Sequence, residues 1–124
     1  MTASDTARDM VQIAALAADG KAGTDLVALD VSEPLPLVDA FLLVTGSTER
    51  NVAAIADAVE EDLLEKGFKR LRREGRAESR WVLLDFGDLV VHVFHAEERS
   101  YYGLERLWMD CPVIPIVLPA PAGV

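Results

Sequence analysis

The sequence predicts one α/β domain with a mixed five-stranded sheet flanked by helices. Three observations predict it. Helix-spaced and strand-spaced segments follow one another in the order α-β-β-α-β-β-β-α. One strand segment, Ala40 to Thr45, is nearly all apolar, as strands covered on both faces are. The 124 residues suffice for one hydrophobic core and not for two.

Ser4 or Asp5 can cap a first helix whose apolar positions are Ala7, Met10, Val11, Ala14, Ala15 and Ala18, with Gly20 and Gly23 as its stop. Leu26 to Val31 alternates and reads as a strand, which Pro34 and Pro36 bring to an end. After the second strand, Gly46-Ser47-Thr48-Glu49 turns the chain into a helix with the stripe Val52, Ile55, Ala56, Val59 and Leu63, the serine serving as cap and Gly67 as stop. The segment from Lys66 to Arg80 reads as a charged edge strand, or a strand plus a mobile loop. Trp81 to Asp85 and Asp88 to Phe94 form a hairpin around Phe86-Gly87. Glu97 opens a last helix bearing Tyr101, Tyr102, Leu104, Leu107 and Trp108. Residues 111–124 form a proline-rich tail with one extended stretch, Val113 to Leu118, leaving residues 1–110 as the domain proper.

A Phe86-Gly87 loop sets Asp85 opposite Asp88, Leu83 opposite Val90 and Trp81 opposite His92, all on one face with Phe94. The other face, with Val82, Leu84, Leu89, Val91 and Val93, is aliphatic and must be core. Two carboxylates facing each other cost stability. Either they bond turn amides while a helix covers Trp81, or the face binds a protein partner, since aromatics beside unpaired charge typify hot spots.

Charge narrows the partner. The chain carries −9, yet seven cations between Lys66 and Arg80 against Glu74 and Glu78 make that segment +5 and leave −14 elsewhere. Phosphate is repelled everywhere but along that strip, so a basic protein suits the chain better than nucleic acid. One cysteine excludes a disulfide scaffold and a multi-cysteine zinc site. Neither a membrane span nor a secretion signal is legible, and a cytoplasmic protein is expected.

Enzyme-like features are few. Asp85-Phe86-Gly87 matches the kinase metal-binding tripeptide by chance, in a chain too short for a kinase. His92 and His95 point to opposite strand faces and cannot share a metal. Cys111 reads as structural. The Gly46-Ser47 junction is like the phosphate-approaching turn of polymerase-beta-type nucleotidyltransferases, but the next strand, Lys69 to Glu74, lacks the Asp-x-Asp pair that holds magnesium.

Four runs fit one family: Asp39 to Gly46, Arg50 to Ala56, Trp81 to His95 and Arg99 to Trp108. In order and spacing they resemble the ribosomal silencing factors, also called iojap-like proteins. The resemblance implies a reduced nucleotidyltransferase fold without catalytic aspartates, and no enzyme activity or cofactor. It implies a translation repressor that binds protein number fourteen of the large ribosomal subunit and blocks subunit joining under nutrient limitation. Gly103 stands where the family often has asparagine, and the tail beyond Trp108 lies outside the resemblance. The residues expected to meet the partner are Trp81, Leu83, Asp85, Asp88, His92, Tyr101, Tyr102, Leu104 and Trp108, with plain cover of the sheet as the competing reading for Leu104. Peripheral contact of Arg72, Arg73 and Arg76 with ribosomal RNA, and a homodimer when free, are also expected. The alternative is a vestigial nucleotide-binding enzyme using Gly46-Ser47 and the basic strip.

Overall fold

The computed structural model describes residues 2–75, 80–98 and 110–119. Helices α1 (Asp5–Asp19) and α2 (Glu49–Glu65) accompany strands β1 (Thr24–Asp30), β2 (Ala40–Gly46), β3 (Arg72–Glu74), β4 (Trp81–Asp85) and β5 (Leu89–His95). The strands form one mixed sheet in the order β1-β2-β5-β4-β3, with β2 and β5 parallel and the other neighbours antiparallel. The fold class is as the sequence predicts. Residues 96–98 are helical, and the rest of the predicted last helix, with Tyr101, Tyr102, Leu104 and Trp108, lies outside the described residues. No helix among the described residues is long and apolar enough to cross a membrane.

Both helices pack on the same side of the sheet. Their stripes, Ala7 to Ala18 on α1 and Val52 to Leu63 on α2, close one core with Leu42, Val44, Val82, Leu84, Leu89, Val91 and Val93. The second face carries its own cluster of Leu29, Val31, Phe41, Leu43, Val90 and Phe94, with Leu35, Val38, Trp81, Leu83 and Cys111 packed around it. Every residue of β2 is buried because the strand serves both clusters.

Local chemistry sets the ends of the elements. The Ser4 hydroxyl accepts from the Ala7 N–H and caps α1. The cap of α2 is Thr48, which accepts from Asn51 N–H, and not the serine that the sequence suggested. The Ser47 N–H instead donates to the Asn51 side chain. Gly46 must be glycine, because a Cβ there would lie 2.7 Å from Val52 Cγ2.

The hairpin register differs from the expectation. Phe86 N–H donates to Leu89 O, so Gly87-Asp88 is the two-residue loop. The pairs are Asp85 with Val90, Leu83 with His92, and Trp81 with Phe94. The reason is conformational: both favoured two-residue turns need a positive φ at the first central position, which Gly87 supplies at 90° and a phenylalanine there would resist. The shift moves every partner by two residues, so each side chain keeps its face. The face was right and the pairs were wrong.

Candidate functional site

The sheet face opposite α1 and α2, helix-free among the described residues, is the candidate site. Alternation along β4 puts Trp81, Leu83 and Asp85 on it, half-buried, and alternation along β5 adds Val90, His92 and Phe94, all buried. Parallel pairing of β2 with β5 brings Phe41 opposite Val90 and Leu43 opposite His92. His92 is therefore ringed by aromatics. Phe41 meets it edge-on with centroids 5.0 Å apart, and Phe94 stacks on it at 5.9 Å with planes 9° apart. Trp81 lies 4.9 Å from Phe94, and its Nε1–H donates to His92 Nδ1 over 3.3 Å.

These surroundings settle the histidine's state. Burial pushes its pKa down to about 4, so it is neutral at physiological pH. With Nδ1 accepting, the proton sits on Nε2, which is buried and has no hydrogen-bond partner among the described residues. A neutral imidazole here is a packing element with one unused donor.

Asp85 and Asp88 do not oppose each other. Asp85 Oδ1 accepts from Gly87 N–H at 2.8 Å, and Arg72 stands 4.0 Å from its other oxygen. Asp88 lies in the loop with an exposed side chain, while its backbone oxygen accepts from Asp39 and Ala40 N–H. The expected cross-strand repulsion is absent, because the register that created it is not the one formed. Both carboxylates remain at the hairpin end of the helix-free face.

The described arginines of the strip are paired internally. Arg70 reaches Glu60 at 3.0 Å, and Arg73 reaches Asp57 at 2.8 Å and Glu60 at 3.5 Å, so both lean on α2. Arg80 places its three nitrogens on Glu49, Glu97 and Glu98. Much of the strip's charge is thus spent against the acidic face of α2 and the segment after β5. Arg76 lies outside the described residues.

The Gly46-Ser47 junction is occupied by the chain itself. Asn51 Oδ1 accepts the Ser47 N–H at 2.9 Å, and its Nδ2 donates to Lys21 O at 2.7 Å. The amide that would face a phosphate is already bonded. The strand after α2 offers Arg72, Arg73 and Glu74 where a metal site needs carboxylates. Among the described residues, no group of three or more His, Cys, Asp or Glu side chains is placed to hold a metal ion. Burial raises the Cys111 thiol pKa, with Asp110, Asp30 and Glu33 adding to it, so it is no ready nucleophile.

Sequence reasoning reached Trp81, Leu83, Asp85, His92 and Phe94 as one face, and the structure brings these together. It missed Phe41, Leu43 and Leu29, which reach the face through β2 and β1. The signal was present in the apolar run of β2, whose odd-numbered positions had to cover something other than the helices.

Comparison with known proteins agrees with this architecture. A family model described as "Ribosomal silencing factor during starvation" matches residues 4–122, a span that takes in the proline-rich tail. Ribosomal silencing factor RsfS of Bacillus subtilis is 44% identical over 106 residues, covering 86% of this chain and 90% of that protein. The chloroplastic protein Iojap of Zea mays is 33% identical over 109 residues, covering 88% of this chain and 46% of that one. A crystal structure from Bacillus halodurans superposes with a TM-score of 0.76 at 41% identity, covering 86% of this chain and 97% of its own. Another, from Chromobacterium violaceum, gives 0.79 at 33% identity, covering 94% and 92%. With the match spanning nearly the whole chain and the same fold in solved relatives, this chain belongs to the ribosomal silencing factor family.

Proposed function

We propose that this protein represses translation by docking on the large ribosomal subunit through its protein number fourteen, on the intersubunit side, where it excludes the small subunit. A ribosome-associated silencing role follows from the family; the partner and the blocking step are the finer reading. The observation that carries it is the helix-free face, where half-buried Trp81 and Leu83 lie over buried aromatics and end at Asp85 and Asp88. Aromatic anchors supply a desolvated centre, and the carboxylates meet lysine or arginine on a basic partner. Tyr101, Tyr102, Leu104 and Trp108 complete the footprint in this reading. Repression by exclusion needs occupancy and no turnover, so the protein acts in stoichiometric amounts and without a cofactor, in the cytoplasm.

The nucleotidyltransferase alternative has the Asn51 bonds against it, since a phosphate at Ser47 must first displace them. Sedimentation with purified subunits tests both readings. The protein should travel with large subunits and shift joined ribosomes to free subunits in proportion to the amount added. Magnesium nucleotide should leave its melting temperature unchanged. Turnover of nucleotide that Ser47→Ala abolishes would favour the enzyme.

A further inference from the structure

Tyr101, Tyr102, Leu104 and Trp108 stand in sequence between two points where the chain is fastened to the sheet. The far point is made of backbone. Asp30 N–H donates to Pro112 O and Ile114 N–H donates to Ala28 O, both at 2.8 Å, around a bridge between Leu29 and Val113 on the outer edge of β1. Ile114 is buried in the helix-side core and Cys111 packs on the opposite cluster, so the fold itself holds this end.

The near point is made of side chains, and one residue supplies most of it. Arg80 continues the β4–β5 ladder one step past Trp81 and Phe94, its carbonyl accepting from His95 N–H at 2.8 Å. Its guanidinium then spreads over three carboxylates from two parts of the fold. Nε donates to Glu98 at 2.6 Å, Nη2 to Glu97 at 2.7 Å, and Nη1 to Glu49, the first residue of α2, at 3.4 Å. His95 Nδ1 accepts the Glu97 N–H over 3.2 Å, as a cap does, at the head of helical residues 96–98. One guanidinium and one imidazole thus set the direction in which the chain departs from β5.

Magnitudes show what the cluster is for. The three glutamate side chains are between 22% and 76% exposed, and ion pairs at such exposure add little stability. What a planar fork on three carboxylates supplies is geometry. Without it Glu49, Glu97 and Glu98 are like charges facing one another, which drives the start of this segment away from α2.

We propose that Arg80 is a positioning residue for docking: by clamping Glu97 and Glu98 to Glu49 it aims the residues that follow, Tyr101 and Tyr102 first, at the ribosomal partner. It acts through that segment and not by touching the partner. The inference rests on the docking reading above and adds to it the joint that orients the second half of the footprint.

Affinity for isolated large subunits, measured on full-length variants together with denaturant midpoints, tests this. Arg80→Gln should weaken binding by about tenfold or more and leave the midpoint close to that of wild type. A double-mutant cycle separates aim from fold. Tyr101→Ala should cost far less in the Arg80→Gln background than in wild type, because that contact is already misplaced, while Trp81→Ala should cost the same in both. Glu97→Gln with Glu98→Gln opens the joint from the other side and should reproduce the cycle, which decides the matter should Arg80→Gln fail to fold. Wild-type affinity in Arg80→Gln, or full additivity with Tyr101→Ala, would overturn the positioning role and leave docking standing. Wild-type affinity in both Trp81→Ala and Tyr101→Ala would instead overturn docking, and this inference with it.

Discussion

The indole N–H of Trp81 donates to Nδ1 of His92 across 3.3 Å, tying a half-buried side chain on β4 to a buried one on β5. The bond fixes the imidazole tautomer and couples the proposed docking face to the core. Anything that charges His92 breaks that bond, because the cation has no lone pair to accept it.

A pH dependence follows from this. The folded-state pKa of His92 is about 4 against 6.5 when exposed, so between these values the unfolded chain binds more protons. The contribution is complete above pH 6.5 and is lost as pH falls toward 4, roughly 3 kcal/mol in all. Denaturant titrations across that range should show this slope in wild type, and His92→Phe should flatten it.

Asp30 should act further down the scale. Burial raises its pKa, but the Ser32 hydroxyl, Ala3 N–H, Ser32 N–H and Arg8 outweigh that and leave it lowered. Its contribution is complete above the ordinary carboxylate range and is lost as pH falls below it. Asp30→Ala strands the buried donors of Ala3 and Ser32 and should cost about 2–3 kcal/mol by chemical denaturation.

The two site aspartates should separate in their effects on stability. Asp85 accepts the Gly87 N–H that shapes the hairpin loop, whereas the Asp88 carboxylate is exposed. Asp85→Ala should lower stability by about 1 kcal/mol and Asp88→Ala should leave it unchanged within ~0.5 kcal/mol. With no carboxylate pair to relieve, the double variant should not be more stable than wild type. Together the two should weaken binding to the ribosomal protein by on the order of 2 kcal/mol.

Arg72, Arg73 and Arg76 should matter for approach and little for grip. Arg73 is engaged by Asp57 and Glu60, and Arg72 stands near Glu74 and Asp85. Replacing all three with serine should mainly reduce the association rate and its salt dependence. Loss of binding at every salt concentration would make the strip the principal contact.

Much of this was legible in the sequence, for definite reasons. Helical stripes on α1 and α2 and the alternation of β4 and β5 are periodic signals that survive any pairing, so element order and the facing of Trp81 and His92 could be read directly. Register could not, since a one-residue misplacement of the loop repairs every partner while preserving the pattern. The loop glycine was the clue, read at the second position and not the first. Phe41 was out of reach for another reason: the parallel pairing of β2 with β5 is a contact between segments far apart in sequence, with no local signature. The tail read as an extended stretch, Val113 to Leu118, with a frayed end and no assigned neighbour; its pairing with β1 is again a contact between distant segments, and its prolines suit the outermost position of a sheet.

The central claim is that the helix-free face is the docking surface, and Trp81 tests it most directly. Affinity for isolated large subunits should be measured for wild type and Trp81→Ala below the melting temperature of both, with melting curves recorded alongside. Loss of the anchor should weaken binding roughly 30-fold or more, on the order of 2 kcal/mol, while the variant stays folded, and the block of subunit joining should fail in step. Wild-type affinity in a variant whose melting temperature has dropped would show that Trp81 builds the sheet and does not touch the ribosome.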